Sequence, residues 1–343
     1  MRDYTYATPE FFVSWSQGDI LDGFTLPYLN DVASRPTHFL ALEAVYFGMG
    51  LFTFMRALQQ KRVSIWIGFF IWGIILETVG FVIKSHLHGQ FVVQLFPFLP
   101  LKEVVWYPVV LYPSYETAKG VRFSDKYGAA CLFGLLAILT DVPYEMTNGR
   151  DNVGVAHINY NCETGPLALS NRFLDASMYI CFAYSLLATL LFLVIERTYE
   201  HSVGGISRVL LIVGSLPIKY LAFIPVATLQ YVTCFGDICP RDSMVRPGVL
   251  WALLAAVQLI QILKTIQQPK VALPMRFNIV SIVPISINAV FSYFLWISEE
   301  TLKEKVDTFC AIFAVTVLTL SLHSLATRYP EPSESSLNRK KGL

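Results

Sequence analysis

Hydrophobic residues in this chain fall into long blocks broken by short polar stretches, and most blocks match the roughly 20 residues a helix needs to cross about 30 Å of hydrocarbon. Nine blocks predict helical spans: Phe39 to Leu58, Val63 to Ile83, Glu103 to Ala118, Tyr127 to Met146, Ala176 to Ile195, Val209 to Val232, Gly248 to Ile266, Phe277 to Ile297 and Val306 to Thr327. The third is short and holds Pro108 and Pro113; the count is eight if it is re-entrant. The pattern therefore predicts an all-α, polytopic transmembrane bundle over residues 39–328. An outer segment, 1–38, precedes it, and a disordered cytosolic tail rich in Pro, Ser and Glu, 329–343, follows it.

Composition agrees: 54% of residues are hydrophobic, 15% are charged and the mean hydropathy is +0.51, too apolar for an ordinary soluble enzyme. A net charge of +1 without a basic, aromatic-rich stripe excludes nucleic-acid binding. The remaining partner class is membrane lipid, and the sequence specifies no cofactor, soluble protein partner or oligomeric state. Residues 1–38 carry no cleavable leader pattern, so the first span is expected to act as its own insertion signal.

Lys and Arg set the expected orientation, because cytoplasmic connections retain positive charge. Fifteen of the 26 fall on one side, Arg56, Lys61, Arg62, Lys119, Arg122, Lys126 and Arg208 among them, and ten on the other, with Lys219 inside a span. This predicts an integral, multi-pass protein with its N-terminus outside or lumenal and its C-terminus cytosolic. Cys162, Cys234 and Cys239 all fall in outer connections, where an oxidising compartment favours pairing, and Cys234 with Cys239 is the expected disulfide.

On that topology the acids within the apolar blocks gather toward one face: Glu43, Glu77, Glu103, Asp141, Glu145 and Asp175. An ionised acid at a helix centre costs about 2.5 to 3.5 kcal/mol, so such groups line wet cavities, pair or become neutral. Glu43, Glu103 and Asp175 lie near block ends and are read as structural. Glu77 and Asp141 lie deeper and are read, with Glu145, as the catalytic candidates. Asp141 and Glu145 are four apart, on one helical face, with Pro143 expected to bend or end the helix between them. Two neighbouring acids separate in proton affinity, which leaves an acid beside a base.

The polar rim is assigned to His86, His88 and His157. His86 and His88 are separated by one residue and are the only metal-ligand candidates; hydrated interface histidines are the plainer reading, and no metal is assigned. No phosphate loop or nucleophile elbow occurs.

Glu77-Thr-Val-Gly80, Asp141-Val-Pro143, and Gly165-Pro166 with Ser170-Asn171-Arg-Phe173 resemble, over about residues 63–195, integral-membrane carotenoid hydratases. The whole chain resembles a eukaryotic family of multi-pass membrane proteins, a likeness that implies no established activity. The hydratase resemblance implies protonation of an isoprenoid double bond and capture of the cation by water. Asp141 would be the proton donor and Glu77 or Glu145 would position water, with Trp106 and Tyr144 beside the cation. His157, Asn171 and Lys219 complete the expected substrate-binding set. A proton-coupled transporter or channel is the competing expectation, raised by Lys219 and by prolines inside spans three, six and eight. A non-catalytic membrane receptor or scaffold, using residues 1–38 and the loop from Thr233 to Pro247, is the third.

Overall fold

The computed structural model describes residues 28–29, 37–82, 87–88, 91–96, 99–147, 155–156, 172–173, 176–217, 245–267 and short stretches between 283 and 324. These residues are mostly helical. The helices are α1 (Thr37–Gln59), α2 (Val63–Val82), α3 (Leu101–Gly120), α4 (Lys126–Thr147), α5 (Met178–Glu200), α6 (Gly205–Gly214) and α7 (Val245–Thr265), with a further apolar helical stretch at Ile312–Leu322. Within α1, α4 and α5, the segments Leu40–Gln59, Lys126–Tyr144 and Cys181–Glu200 are long and apolar enough to cross a membrane.

Turns between successive helices differ at the two ends of the bundle. The α1–α2, α3–α4 and α5–α6 turns are tight, and Lys61 and Ser202 take the left-handed backbone there, at φ of 54° and 50°. At the opposite end the connections are long and carry small antiparallel sheets. These are β1 (Tyr28–Leu29), β3 (Val93–Phe96) and β4 (Leu99–Pro100) in one, β2 (Leu87–His88) with β5 (Val155–Ala156) in another, and β6 (Arg172–Phe173) with β7 (Ala176–Ser177) in a third.

The tight end is basic. Arg56 on α1 binds Glu116 on α3 through Nε at 2.8 Å, Lys119 on α3 binds Glu196 on α5 at 2.7 Å, and Lys126 at the start of α4 binds Glu200 at 3.0 Å. Arg208 on α6 donates to Thr198 Oγ1, Ser64 Oγ and the Val203 carbonyl. Main-chain bonds from Ser124 to Thr265 and from Gln267 to Arg122 bring the end of α7 to the same place. The described cations expected on the cytosolic side thus share one end of the bundle.

α3 is the central helix, enclosed by α1, α2 and α4, and its residues from Lys102 to Tyr115 are all buried. It begins earlier and ends later than the Glu103 to Ala118 block, and it continues through Pro108 and Pro113. Its 20 residues measure about 30 Å at 1.5 Å per residue. Pro143 likewise does not end α4, which continues to Thr147. That corrects the expectation that Pro143 ends the helix: a proline removes one main-chain bond, and the helix continues past it.

Small residues allow two close approaches. A Cβ on Gly134 of α4 would lie 2.1 Å from Thr189 Oγ1 and 2.6 Å from the Ser185 carbonyl of α5. Gln258 of α7 bonds both Ser185 and Thr189 at this point, joining three helices by polar contacts. A Cβ on Gly73 of α2 would lie 2.5 Å from the Tyr107 ring of α3. Elsewhere large apolar side chains face outward: Leu51, Met55 and Leu58 on α1, Ile206 and Leu210 on α6, and Leu253, Val257, Ile260 and Leu263 on α7. Rows of that size suit hydrocarbon rather than water.

Candidate functional site

The first two turns of α3 carry Lys102, Glu103, Trp106 and Tyr107. Successive residues on an α-helix point about 100° apart, so Trp106 and Tyr107 reach different neighbours. Trp106 Nε1 donates to Asp141 Oδ1 of α4 at 2.7 Å, and the Tyr107 hydroxyl donates to Glu77 Oε1 of α2. One turn back, Glu103 Oε2 accepts from the Tyr144 hydroxyl of α4 at 2.7 Å, and its Oε1 is ion-paired with Lys102. All these groups are buried: Lys102 is 0% exposed, Glu103 2%, Asp141 4% and Glu77 8%, in a layer otherwise built of aromatic and aliphatic side chains.

The acids share one neighbourhood. Tyr107, bonded to Glu77, follows Trp106, bonded to Asp141, and the Trp106 ring lies against Tyr144, which is bonded to Glu103. Aromatic rings run through the cluster, with Tyr46 of α1 edge-on to Trp106 at 5.1 Å between centroids and Trp106 tilted on Tyr144 at 4.8 Å. The Lys102 ammonium lies over the Phe91 ring, 4.0 Å from its centroid, and 5.3 Å from that of Tyr46. Trp72, whose ring meets Tyr107 edge-on at 5.4 Å, has a buried Nε1 with no hydrogen-bond partner among the described residues.

These contacts divide the acids by chemistry. Glu103 uses both oxygens as acceptors, one toward a cation, and that is a fixed carboxylate. Glu43 also has both oxygens engaged, by the main-chain N–H groups of Val92 and Val93 at 3.0 and 2.8 Å, so it ties α1 to the β3 connection. Indole nitrogen only donates, so Asp141 Oδ1 is an acceptor whether or not the carboxyl carries a proton.

Of the expected site residues, the fold brings Glu77, Asp141, Trp106 and Tyr144 together. Glu145 continues α4, but its side chain lies outside the described residues, as does that of His88. His86, His157, Asn171, Asp175, Lys219, Cys162, Cys234 and Cys239 also lie outside them. Pairing of β2 with β5 sets the main chain of His88 against Val155 and of Leu87 against Ala156, so the two histidine-bearing connections meet. Among the described residues no group of His, Cys, Asp and Glu could hold a metal ion.

Lys102 and Tyr107 were not singled out by the sequence reading. Their signal is spacing: Lys102, Glu103, Trp106 and Tyr107 follow i, i+1, i+4, i+5 at the start of a helix that has acids on both neighbours. No family model matches the chain, and neither a curated protein nor a solved structure matches it.

Proposed function

We propose that the cluster at the first turns of α3 performs acid–base chemistry on a lipid or isoprenoid substrate. The observation that carries this reading is that Asp141 and Glu77, on two different helices, are each oriented by an aromatic donor from adjacent residues of α3, Trp106 and Tyr107. In a hydration, the Asp141 carboxylic acid transfers its proton to one carbon of a double bond, leaving a cation on the other. Water adds to that cation and passes a proton to the Glu77 carboxylate. Trp106 and Tyr144 offer ring faces to the positive charge. Glu145 is the alternative water-positioning group.

The membrane setting proposed is a multi-pass bundle of nine spans with its N-terminus outside and its C-terminus cytosolic. Three apolar spans, the length of α3 and the gathering of cations at the tight end support it. A proton-coupled transporter is the second reading, favoured by the buried Lys102, Glu103, Glu77 and Asp141 on three adjacent helices.

Untargeted lipidomics of cells lacking the protein, rescued with wild type or Asp141→Asn, tests the enzyme. The expected result is a lipid that accumulates without the protein and is cleared by wild type only. Clearance by Asp141→Asn at equal abundance sinks the proposal. Proton-dependent solute flux in proteoliposomes with no lipid change points to transport instead.

A further inference from the structure

Two buried polar atoms take no part in the chemistry proposed above. Trp72 Nε1 on α2 and Thr140 Oγ1 on α4 are each without a hydrogen-bond partner among the described residues, and the two side chains are 1% and 2% exposed. A buried N–H or hydroxyl left unpaired costs about 1 to 3 kcal/mol, so each calls for a ligand. Thr140 also stands apart from other threonines of the bundle. Thr189, Thr265, Thr316 and Thr319 each turn the hydroxyl back to the carbonyl four residues earlier, and Thr140 does not, which leaves its hydroxyl to bond something other than its own helix.

The fold brings the two atoms to one level. In the antiparallel α3–α4 pair Trp106 bonds Asp141 and Glu103 bonds Tyr144, so the same register, continued by one residue, sets Tyr107 opposite Thr140. The Trp72 ring meets Tyr107 edge-on. The helix faces agree as well. Phe133 of α4 stacks on Phe69 of α2 at 6.4 Å between centroids; Thr140 follows Phe133 by seven residues, about two turns, and Trp72 follows Phe69 by three. Trp72 and Thr140 thus lie on facing stripes of α2 and α4, beside Tyr107, beyond the Phe69–Phe133 stack and next to the level of Asp141.

We infer that Trp72 and Thr140 hold one water molecule, the water consumed in the hydration proposed above, on which this inference rests. An indole N–H only donates and a hydroxyl can accept, so the water oxygen gains a donor and one of its hydrogens an acceptor, the two polar partners that a buried water needs. Neither partner is charged, and the second lone pair of the water stays available. That lone pair forms the C–O bond to the substrate cation, and the proton then released passes to the Glu77 carboxylate, which is already bonded to Tyr107.

The test uses the full-length protein in detergent, isotope-labelled at the indole nitrogens of its six tryptophans, with Trp72→Phe identifying the Trp72 resonance. Magnetisation transfer between that N–H and water is expected in the wild-type protein and is lost in Thr140→Val, which keeps the shape of the side chain. In cells lacking the protein, rescue with Thr140→Val or Trp72→Phe clears the accumulating lipid about tenfold more slowly than wild type, the effect of one hydrogen bond. No water contact at Trp72 in the wild-type protein overturns the inference, and so does unchanged clearance by both variants at equal abundance. A water contact that persists while Asp141→Asn clears the lipid normally refutes the hydration and upholds the water site.

Discussion

Trp106 and Asp141 form one rung of a two-rung ladder between α3 and α4, and the second rung, Glu103 with Tyr144, lies three residues away on each helix. The rungs run in opposite directions, with α3 donating in the first and α4 in the second. Antiparallel helices whose donors and acceptors alternate in this way have one register that satisfies both. Trp106→Phe removes one donor and leaves a buried carboxyl oxygen short of a hydrogen bond, a loss of about 1 to 3 kcal/mol. Thermal unfolding in detergent reads it, and a drop no larger than in an exposed control such as Leu51→Ala counts against the ladder.

The Lys102–Glu103 pair offers a sharper comparison. Lys102→Met leaves Glu103 as a buried charge and is expected to cost about 3 to 5 kcal/mol, whereas Lys102→Met with Glu103→Gln removes both charges and recovers most of it. A double-mutant cycle measures the difference. If the double variant is as unstable as the single, the pair is not what holds the charges in place.

Tyr107 can be displaced without touching an acid. Gly73→Ala puts a Cβ into its ring and shifts the hydroxyl away from Glu77, while Gly48→Ala, on α1, meets nothing within 4 Å and serves as the control. If the Glu77–Tyr107 bond serves the proposed chemistry, Gly73→Ala and Tyr107→Phe give the same lipid profile in rescued cells. Divergent profiles would separate ring packing from the hydroxyl.

Gly134 and Gln258 define a contact far from the acids. Gly134→Val forces α4 and α5 apart and is expected to cost about 1 to 3 kcal/mol or more through overpacking. Gln258→Leu removes the interhelical hydrogen bonds at about 0.6 kcal/mol each. The unfolding midpoint orders the two, with Gly134→Val the more damaging.

How far the sequence foretold this arrangement depends on which force fixed each part. Glu77 and Asp141 stood out because an acid inside an apolar block is expensive wherever the helices pack. The one-ended gathering of Arg56, Lys119 and Arg208 was likewise legible from the positive-charge rule. α3 was the weakest block because hydropathy reports contact with lipid, and a helix enclosed by its neighbours need not be greasy. Lys102 gives no sign in the sequence: its partner Glu103 is the next residue, but its burial depends on Phe91 and Tyr46 from other elements. Trp106 and Tyr144 were chosen as aromatic walls, and their hydrogen-bonding role is a matter of helix register, which composition does not encode.

The enclosure of α3 bears on how the chain is made. During synthesis it emerges before α4, with Lys102 and Glu103 in its first turn and no α4 to supply Tyr144 or Asp141. On its own it is a poor substrate for lateral release into lipid. On the proposed multi-pass reading it waits beside α1 and α2 until α4 arrives, so the order of helices in the chain is also the order in which its polar groups acquire partners.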